Sequence, residues 1–203
     1  MRLDNVRARD AAALSALLAA VPADPPYDLA LAPEDPVGPL ALAVGFEAYA
    51  TTVRVTRAIA GLPPASPADG VRLVTYANDM AARYEEAEFA ALDGLAVFRA
   101  MGPPTGYAEG AGLGDFTVAA RGDHIIGFCF TQVPEGIVWW LGVVPDERRR
   151  GVGHLLIESA ARATRVAGGT HLLAEPEDAP AARAFFQALG FRERGLRDLL
   201  IRR

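Results

Sequence analysis

One stretch, Gly136 to Gly168, constrains the fold more than any other part of the chain. It reads GIVWWLGVVPDERRRGVGHLLIESAARATRVAG. An apolar run, Ile137 to Val144, has the composition of a strand and stops at Pro145. A charged loop, Asp146 to Arg150, leads to Gly151-Val152-Gly153. An amphipathic helix of about four turns follows from near His154. Strand, glycine-rich loop and helix in this order form a device for holding phosphate. Glycine lets the backbone come close to a ligand. The first helical turn offers unbonded N–H groups, and the helix dipole favours negative charge there. Arg148, Arg149 and Arg150 add positive charge at the same point.

That charge is local. The chain of 203 residues carries a formal net charge of −5, which argues against nucleic acid as a partner because no overall basic field exists. All 20 basic residues are Arg. A lysine Schiff base, a Walker-type lysine on phosphate and a lysine general base are therefore excluded. A single cysteine, Cys129, rules out an internal disulfide and suggests a reducing compartment. Three histidines and one cysteine, widely scattered, give no metal-ligand spacing. No apolar run approaches the roughly 20 residues of a membrane span. Charges between Arg2 and Asp10 interrupt any leader-like segment, so the expected location is cytoplasmic with no membrane partner.

Taken in order, the pattern predicts a helix over Asp10 to Val21, a strand over Tyr27 to Ala32, a helix over Val37 to Val44 and a strand over Thr51 to Thr56. The segment Gly61 to Gly70, with Pro63, Pro64 and Pro67, has linker composition. A second unit begins with a strand at Val71 to Thr75. Asn78 is placed to cap a helix through Ala91, and a short helix over Leu95 to Ala100 follows. Met101 to Gly114, rich in glycine, reads as a loop. Strands over Phe116 to Ala120 and His124 to Val133, joined by Arg121-Gly122-Asp123, form a hairpin. Beyond the central helix come a strand at His171 to Ala174, a helix over Asp178 to Leu189 and a last strand at Leu196 to Arg202.

The chain also echoes itself. Tyr27 to Arg57 and Thr170 to Arg203 both run apolar strand, Pro-Glu-Asp, short helix, Gly-Phe, strand, Arg. Self-similarity on this scale suggests a duplicated unit. The helices before each copy, Asp10 to Val21 and His154 to Ala167, extend the parallel, but the first copy lacks a glycine-rich loop.

The strand order around Arg148-x-x-Gly151-x-Gly153 resembles the GCN5-related N-acetyltransferase (GNAT) superfamily. Val143-Val144-Pro145-Asp146-Glu147 fits the family's approach to that loop, and Phe185-Phe186-Gln187-Ala188-Leu189-Gly190-Phe191 is similar to its Phe-Tyr-x-x-x-Gly-Phe helix end. The resemblance implies an α/β (α+β) fold: a mixed, mostly antiparallel central sheet flanked by helices and splayed at the cofactor strand. It covers residues 71–203 as a GNAT domain, with 59–70 as linker and 1–58 as a degenerate half-copy that supplies packing or a homodimer surface.

The resemblance further implies acetyl-CoA or another acyl-CoA as cofactor and a small-molecule or peptide amine as acceptor. Backbone N–H groups of Arg149, Arg150, Gly151, Val152, Gly153 and His154 would hold the diphosphate, with Arg148 marking the loop. Main-chain groups from Leu141 through Val143 and Val144 would bind the pantetheine arm. The amine would attack the thioester directly while a backbone N–H polarises its carbonyl. The family's general acid is the Tyr of Phe-Tyr; here Phe186 stands in its place and has no proton to give. The leaving thiolate then departs unaided, or the chain is a catalytically weak or inactive acyl-CoA-binding module. Glu175 is the candidate base. Glu109, Asp115 and Glu135 read as surface carboxylates, His124 and His171 as plain strand-start residues, and Cys129 as either a packed thiol or a cleft residue. Trp139 and Trp140 are expected on opposite faces of one strand.

Overall fold

The computed structural model describes residues 2–3, 10–20, 27–66, 69–101 and 114–202. In chain order its elements are β1 (Arg2–Leu3), α1 (Ala11–Ala19), β2 (Tyr27–Leu31), α2 (Val37–Ala43), β3 (Glu47–Ala58), β4 (Val71–Thr75), α3 (Ala81–Leu92), α4 (Ala96–Met101), β5 (Gly114–Arg121), β6 (His124–Gln132), β7 (Ile137–Val143), α5 (Val152–Val166), β8 (His171–Ala174), α6 (Pro180–Ala188) and β9 (Arg192–Arg202). The helix start expected at Asn78 differs. Asn78–Met80 is a single 3-10 turn with no side-chain cap, and α3 begins at Ala81. The expected Met101 to Gly114 loop, Glu109 included, lies outside the described residues except at its two ends.

The described strands join in one sheet, in the order β1-β2-β9-β3-β8-β7-β6-β5-β4. Pairing is antiparallel except at β1/β2 and β7/β8. Side-chain alternation gives the sheet two apolar faces. On one, α5 lays Val152, Leu156, Ile157, Ala160 and Ala161 against Val53, Val55, Ile126, Cys129 and Leu172. On the other, α3 packs Tyr84, Ala87, Ala91 and Leu92 against Phe116, Val118, Phe128 and Phe130. Leu156 is wholly buried; a side chain of that kind contributes about 1.5–3 kcal/mol on transfer from water.

The 59–70 segment does not divide this sheet. β3, from the front of the chain, lies between β8 and β9. The internal echo explains why. β2-α2-β3 and β8-α6-β9 are the two similar units, and each sends its long strand to the other's short one: β2 pairs with β9, and β8 with β3. Leu29 stands opposite Leu200, as Ala174 stands opposite Val55. The two long strands run antiparallel about the Thr52–Arg197 pair. Each carries a bulge at the third residue after its Gly-Phe, Tyr49 in β3 and Arg194 in β9. Both helices stop alike: Gly45 (φ 90) and Gly190 (φ 75) take left-handed backbone, and Phe46 and Phe191 donate back to Ala41 O and Phe186 O, each at 3.0 Å. The parallel pairs match too, Arg2–Asp28 and Leu3–Leu29 against Ile137–Leu173 and Val138–Ala174. The front copy builds its own small core from Leu14, Leu18, Leu29, Leu31, Val37, Ala41 and Phe46, with Leu200 of the other copy in it.

Candidate functional site

β7 and β8 pair only at Ile137–Leu173 and Val138–Ala174, then separate. The cause lies in β7. On its β6 side Thr131 faces Val138 and Phe130 faces Trp140, so Trp139 is the extra residue of a bulge. A bulge reverses the direction of the backbone groups. Before it, Gly136 O accepts from Leu173 N (2.9 Å) on the β8 side; beyond it, Val144 N donates to Ile126 O (3.1 Å) on the β6 side. Alternation then turns the main-chain groups of Leu141 and Val143 into the splay. Val144 departs from the expectation: its N–H goes to Ile126 O and its C=O accepts from Glu147 N, so both groups are used within the chain.

At the end of β7 the chain passes Pro145–Glu147, one 3-10 turn, and reaches the start of α5. Arg149 (φ 65) and Gly151 (φ 85) are both left-handed. Gly151 is the N-cap and offers no side-chain cap. The first bond back into the helix runs from Leu155 N to Gly151 O (3.1 Å), which leaves the N–H groups of Val152, Gly153 and His154 at the open helix end. The front copy is the opposite case: the Asp10 carboxylate accepts from Ala13 N (2.8 Å) and fills the start of α1. An anion thus meets open donors at α5 and a resident carboxylate at α1.

The two glycines of the motif serve different ends. A Cβ on Gly151 would meet little, Ser66 O at 3.9 Å, so its φ is the constraint. A Cβ on Gly153 would stand 3.0 Å from the Phe185 ring, so Gly153 allows close packing of α5 on α6. The arginines also differ. Arg148 turns back, donating to Val143 O (3.0 Å) and Ala91 O (2.9 Å), and ties the end of β7 to α3. Arg150 approaches Glu147 (3.7 Å), and Arg149 is exposed. The His154 ring meets Pro63 O at 2.9 Å, and Ala65 N donates to Glu158, so the proline-rich segment lies along α5 beside the site.

Glu175, the candidate base, follows Ala174 at the mouth of the splay. Its carboxylate pairs with Arg54 (2.5 Å) and Arg197 (3.4 Å). Asp115 accepts from Thr117, and Glu135, His124 and His171 are exposed. Cys129 is a packed thiol: burial pushes it up to about 12. Trp139 is 41% exposed, whereas the neighbouring Trp140 turns toward α3. Phe186 is buried among Phe185 and Phe191.

Sequence reading missed Glu88. This glutamate of α3 is only 2% exposed and accepts from Trp140 Nε1 (2.7 Å) and from the Tyr84 hydroxyl. The available signal was a carboxylate on the apolar stripe of α3, one turn after Tyr84. Burial raises its carboxyl above the ordinary 4.5 although both donors act to lower it. The folded state therefore holds the proton more tightly than the unfolded chain. Stability should fall as pH rises from about 4.5 to the raised value and level off above it. Glu88→Gln should remove that slope, so urea unfolding should show the variant gaining on the wild type between pH 4 and pH 7. An equal difference at both pH values would contradict the perturbed carboxyl.

A sequence profile of the acetyltransferase (GNAT) domain matches residues 112–193, which hold the splay, the open helix and the Phe185-Phe186 turn. The likeness to the GNAT domain covers 82 of the 203 residues. That family uses acyl-CoA, and its fold supports acyl-CoA-dependent acetyl transfer. Solved structures share the architecture. A GCN5-related N-acetyltransferase from Sphaerobacter thermophilus is 15% identical with a TM-score of 0.60, the match covering 93% of this chain and 64% of that one. A Drosophila protein is 17% identical with a TM-score of 0.69, covering 96% and 67%. A tandem GNAT protein from the clavulanic acid biosynthesis pathway is 19% identical with a TM-score of 0.58, covering 87% and 63%. Identities this low speak for the fold. This chain spans less than two thirds of the first and third of these structures. No curated protein matches it in sequence. Among the described residues, no helix is long and apolar enough to cross a membrane, and no group of side chains could hold a metal ion.

Proposed function

We propose that the protein is an N-acetyltransferase that moves an acetyl group from acetyl-CoA to a primary amine by direct attack. The observation that carries this reading is the uncapped start of α5, with left-handed Gly151, next to the splay of β7 and β8. The residues fit the cofactor. N–H groups of Val152, Gly153 and His154 bind the diphosphate, and Arg149 and Arg150 add charge from outside. Main-chain groups of Leu141 and the N–H of Val143 take the amide-bearing arm, the Val143 carbonyl already accepting from Arg148. When bound, acyl-CoA supplies an activated thioester. Arg148 holds β7 to α3 and keeps the splay in register with the helix start. The front segment, 1–58, is a degenerate half-copy of the domain, with α1 in the place of α5. Because Asp10 closes its helix, one acyl-CoA binds per chain. The test is calorimetry with acetyl-CoA, followed by thiol release over an amine panel at saturating acetyl-CoA. Release no faster than background with every amine would sink the catalytic reading.

Phe186 favours a second reading, an acyl-CoA-binding module with little or no turnover, since its ring offers no proton and sits in the core. Phe186→Tyr separates the two. If transfer lacks only an acid, the variant should raise kcat by about 100-fold, the low end of what a positioned acid contributes. If the module does not turn over, thiol release stays at background in both proteins while acetyl-CoA still binds.

A further inference from the structure

A cavity of about 490 Å³ lies where the two repeated units meet. Arg54 of β3, Arg194 and Arg197 of β9, and Glu34 after β2 line it. Its volume is that of a small-molecule site. Val53 and Val55 point into the α5 core, so alternation places Arg54 on the opposite face of the sheet. Thr52 and Arg197, facing each other across the two long strands, share that face. The cavity joins the splay through Glu175: this residue follows Ala174, the last β8 residue paired with β7, and its carboxylate binds both Arg54 and Arg197. Arg194 donates to Thr56 Oγ1 (2.9 Å), and Arg197 to Ala30 O (3.3 Å). Each guanidinium has five N–H groups, so these bonds leave donors on the cavity wall. Thr52, itself buried, has a hydroxyl with no hydrogen-bond partner among the described residues. The lining sets three guanidinium groups against one carboxylate, Glu34, while Glu175 pairs with Arg54 and Arg197 and Glu177 stands opposite Thr52 beside it; a guanidinium fork on this wall suits a single carboxylate.

We infer that this cavity is where the acceptor is recognised, and that the acceptor is an amine bearing a carboxylate, an amino acid or a peptide end, rather than a polycationic amine. The inference rests on the transferase reading above. It draws on the exchange of strands, since Arg54 comes from the front unit and Arg194 and Arg197 from the back one.

The test compares alanine with alaninamide, and alanylalanine with its C-terminal amide, using thiol release at saturating acetyl-CoA. In parallel, a thermal-shift titration of the CoA-loaded protein with each compound reads binding without turnover. The carboxylate forms are expected to bind and react better by about tenfold or more, the loss that follows from one unmade charge-assisted hydrogen bond. The amino acid and dipeptide arms distinguish a free amino acid from a peptide end. Arg194→Gln, an exposed position, should reduce the preference to about threefold or less while calorimetric acetyl-CoA affinity stays unchanged; Arg54→Gln should act in the same direction. Amides that bind as well as carboxylates, or a preference that survives both substitutions, would overturn the inference and leave acyl-CoA binding intact. Absence of acetyl-CoA binding by the wild type would instead overturn the reading beneath it.

Discussion

Gly151→Trp should lower the affinity of the protein for acetyl-CoA by about 100-fold or more. Two effects act together. Tryptophan resists the left-handed backbone that Gly151 adopts at φ 85, and relaxing that backbone turns the N–H groups of Val152 and Gly153 away from a common point. The indole would also occupy the space in front of the helix start, where a Cβ meets only Ser66 O at 3.9 Å. Charge-assisted hydrogen bonds are worth about 1.5–3 kcal/mol each, so losing one or two accounts for the expected factor. Calorimetry measures it directly. The substitution leaves the packed glycine, Gly153, untouched, so the melting temperature should change little compared with the affinity. Retained affinity would remove the start of α5 from the binding site altogether.

Removing residues 1–60 should abolish the folded, soluble protein rather than leave an independent domain. Among the described strands, β3 alone lies between β8 and β9, and β9 has β2 on its other side. Deletion therefore strips both edges of β9 and one edge of β8, and it takes Val53, Val55 and Ile59 out of the α5 core. An unpaired strand exposes its main-chain donors and acceptors and invites association. The loss of three buried aliphatic side chains alone forfeits about 5–9 kcal/mol of transfer free energy, comparable with the whole stability of a domain. Size-exclusion chromatography and circular dichroism of the 61–203 fragment decide the matter. A monomer with cooperative unfolding and intact acetyl-CoA binding would show that the front segment is dispensable for the domain.

The two experiments probe the two halves of the molecule in different ways. The proposed binding device is local: it depends on a bulge, a left-handed turn and a helix start that are contiguous in the chain. The support for it is not. Glu88 reaches Trp140 from another helix, and Arg148 reaches back to Ala91, so the orientation of β7 depends on α3 as well as on its own sequence.

Much of this was legible from residues alone. Periodicity located the strands and helices to within a few positions, and Pro145, Gly151 and Gly153 marked the loop, because backbone limits on proline and glycine act within a few residues. The repeat of Pro-Glu-Asp and Gly-Phe was visible as well, and both copies do end their helices with the same left-handed glycine. The partner of each strand was not visible. A strand's apolar pattern is equally satisfied by its own unit and by a similar unit elsewhere, so a duplicated sequence cannot say whether β9 pairs with β8 or crosses to β2 and β3. Only the assembled sheet settled that, with bulges at Tyr49 and Arg194 keeping both copies in register. The same limit applies to charge. Sequence offered Glu175 as a candidate without its partners: Arg54 and Arg197 come from strands far apart in the chain, and Coulomb attraction follows distance in space, not separation in sequence. The amino-acid order thus marked the candidate phosphate loop, because its glycines act locally; the tertiary exchange of strands decided which charges meet Glu175.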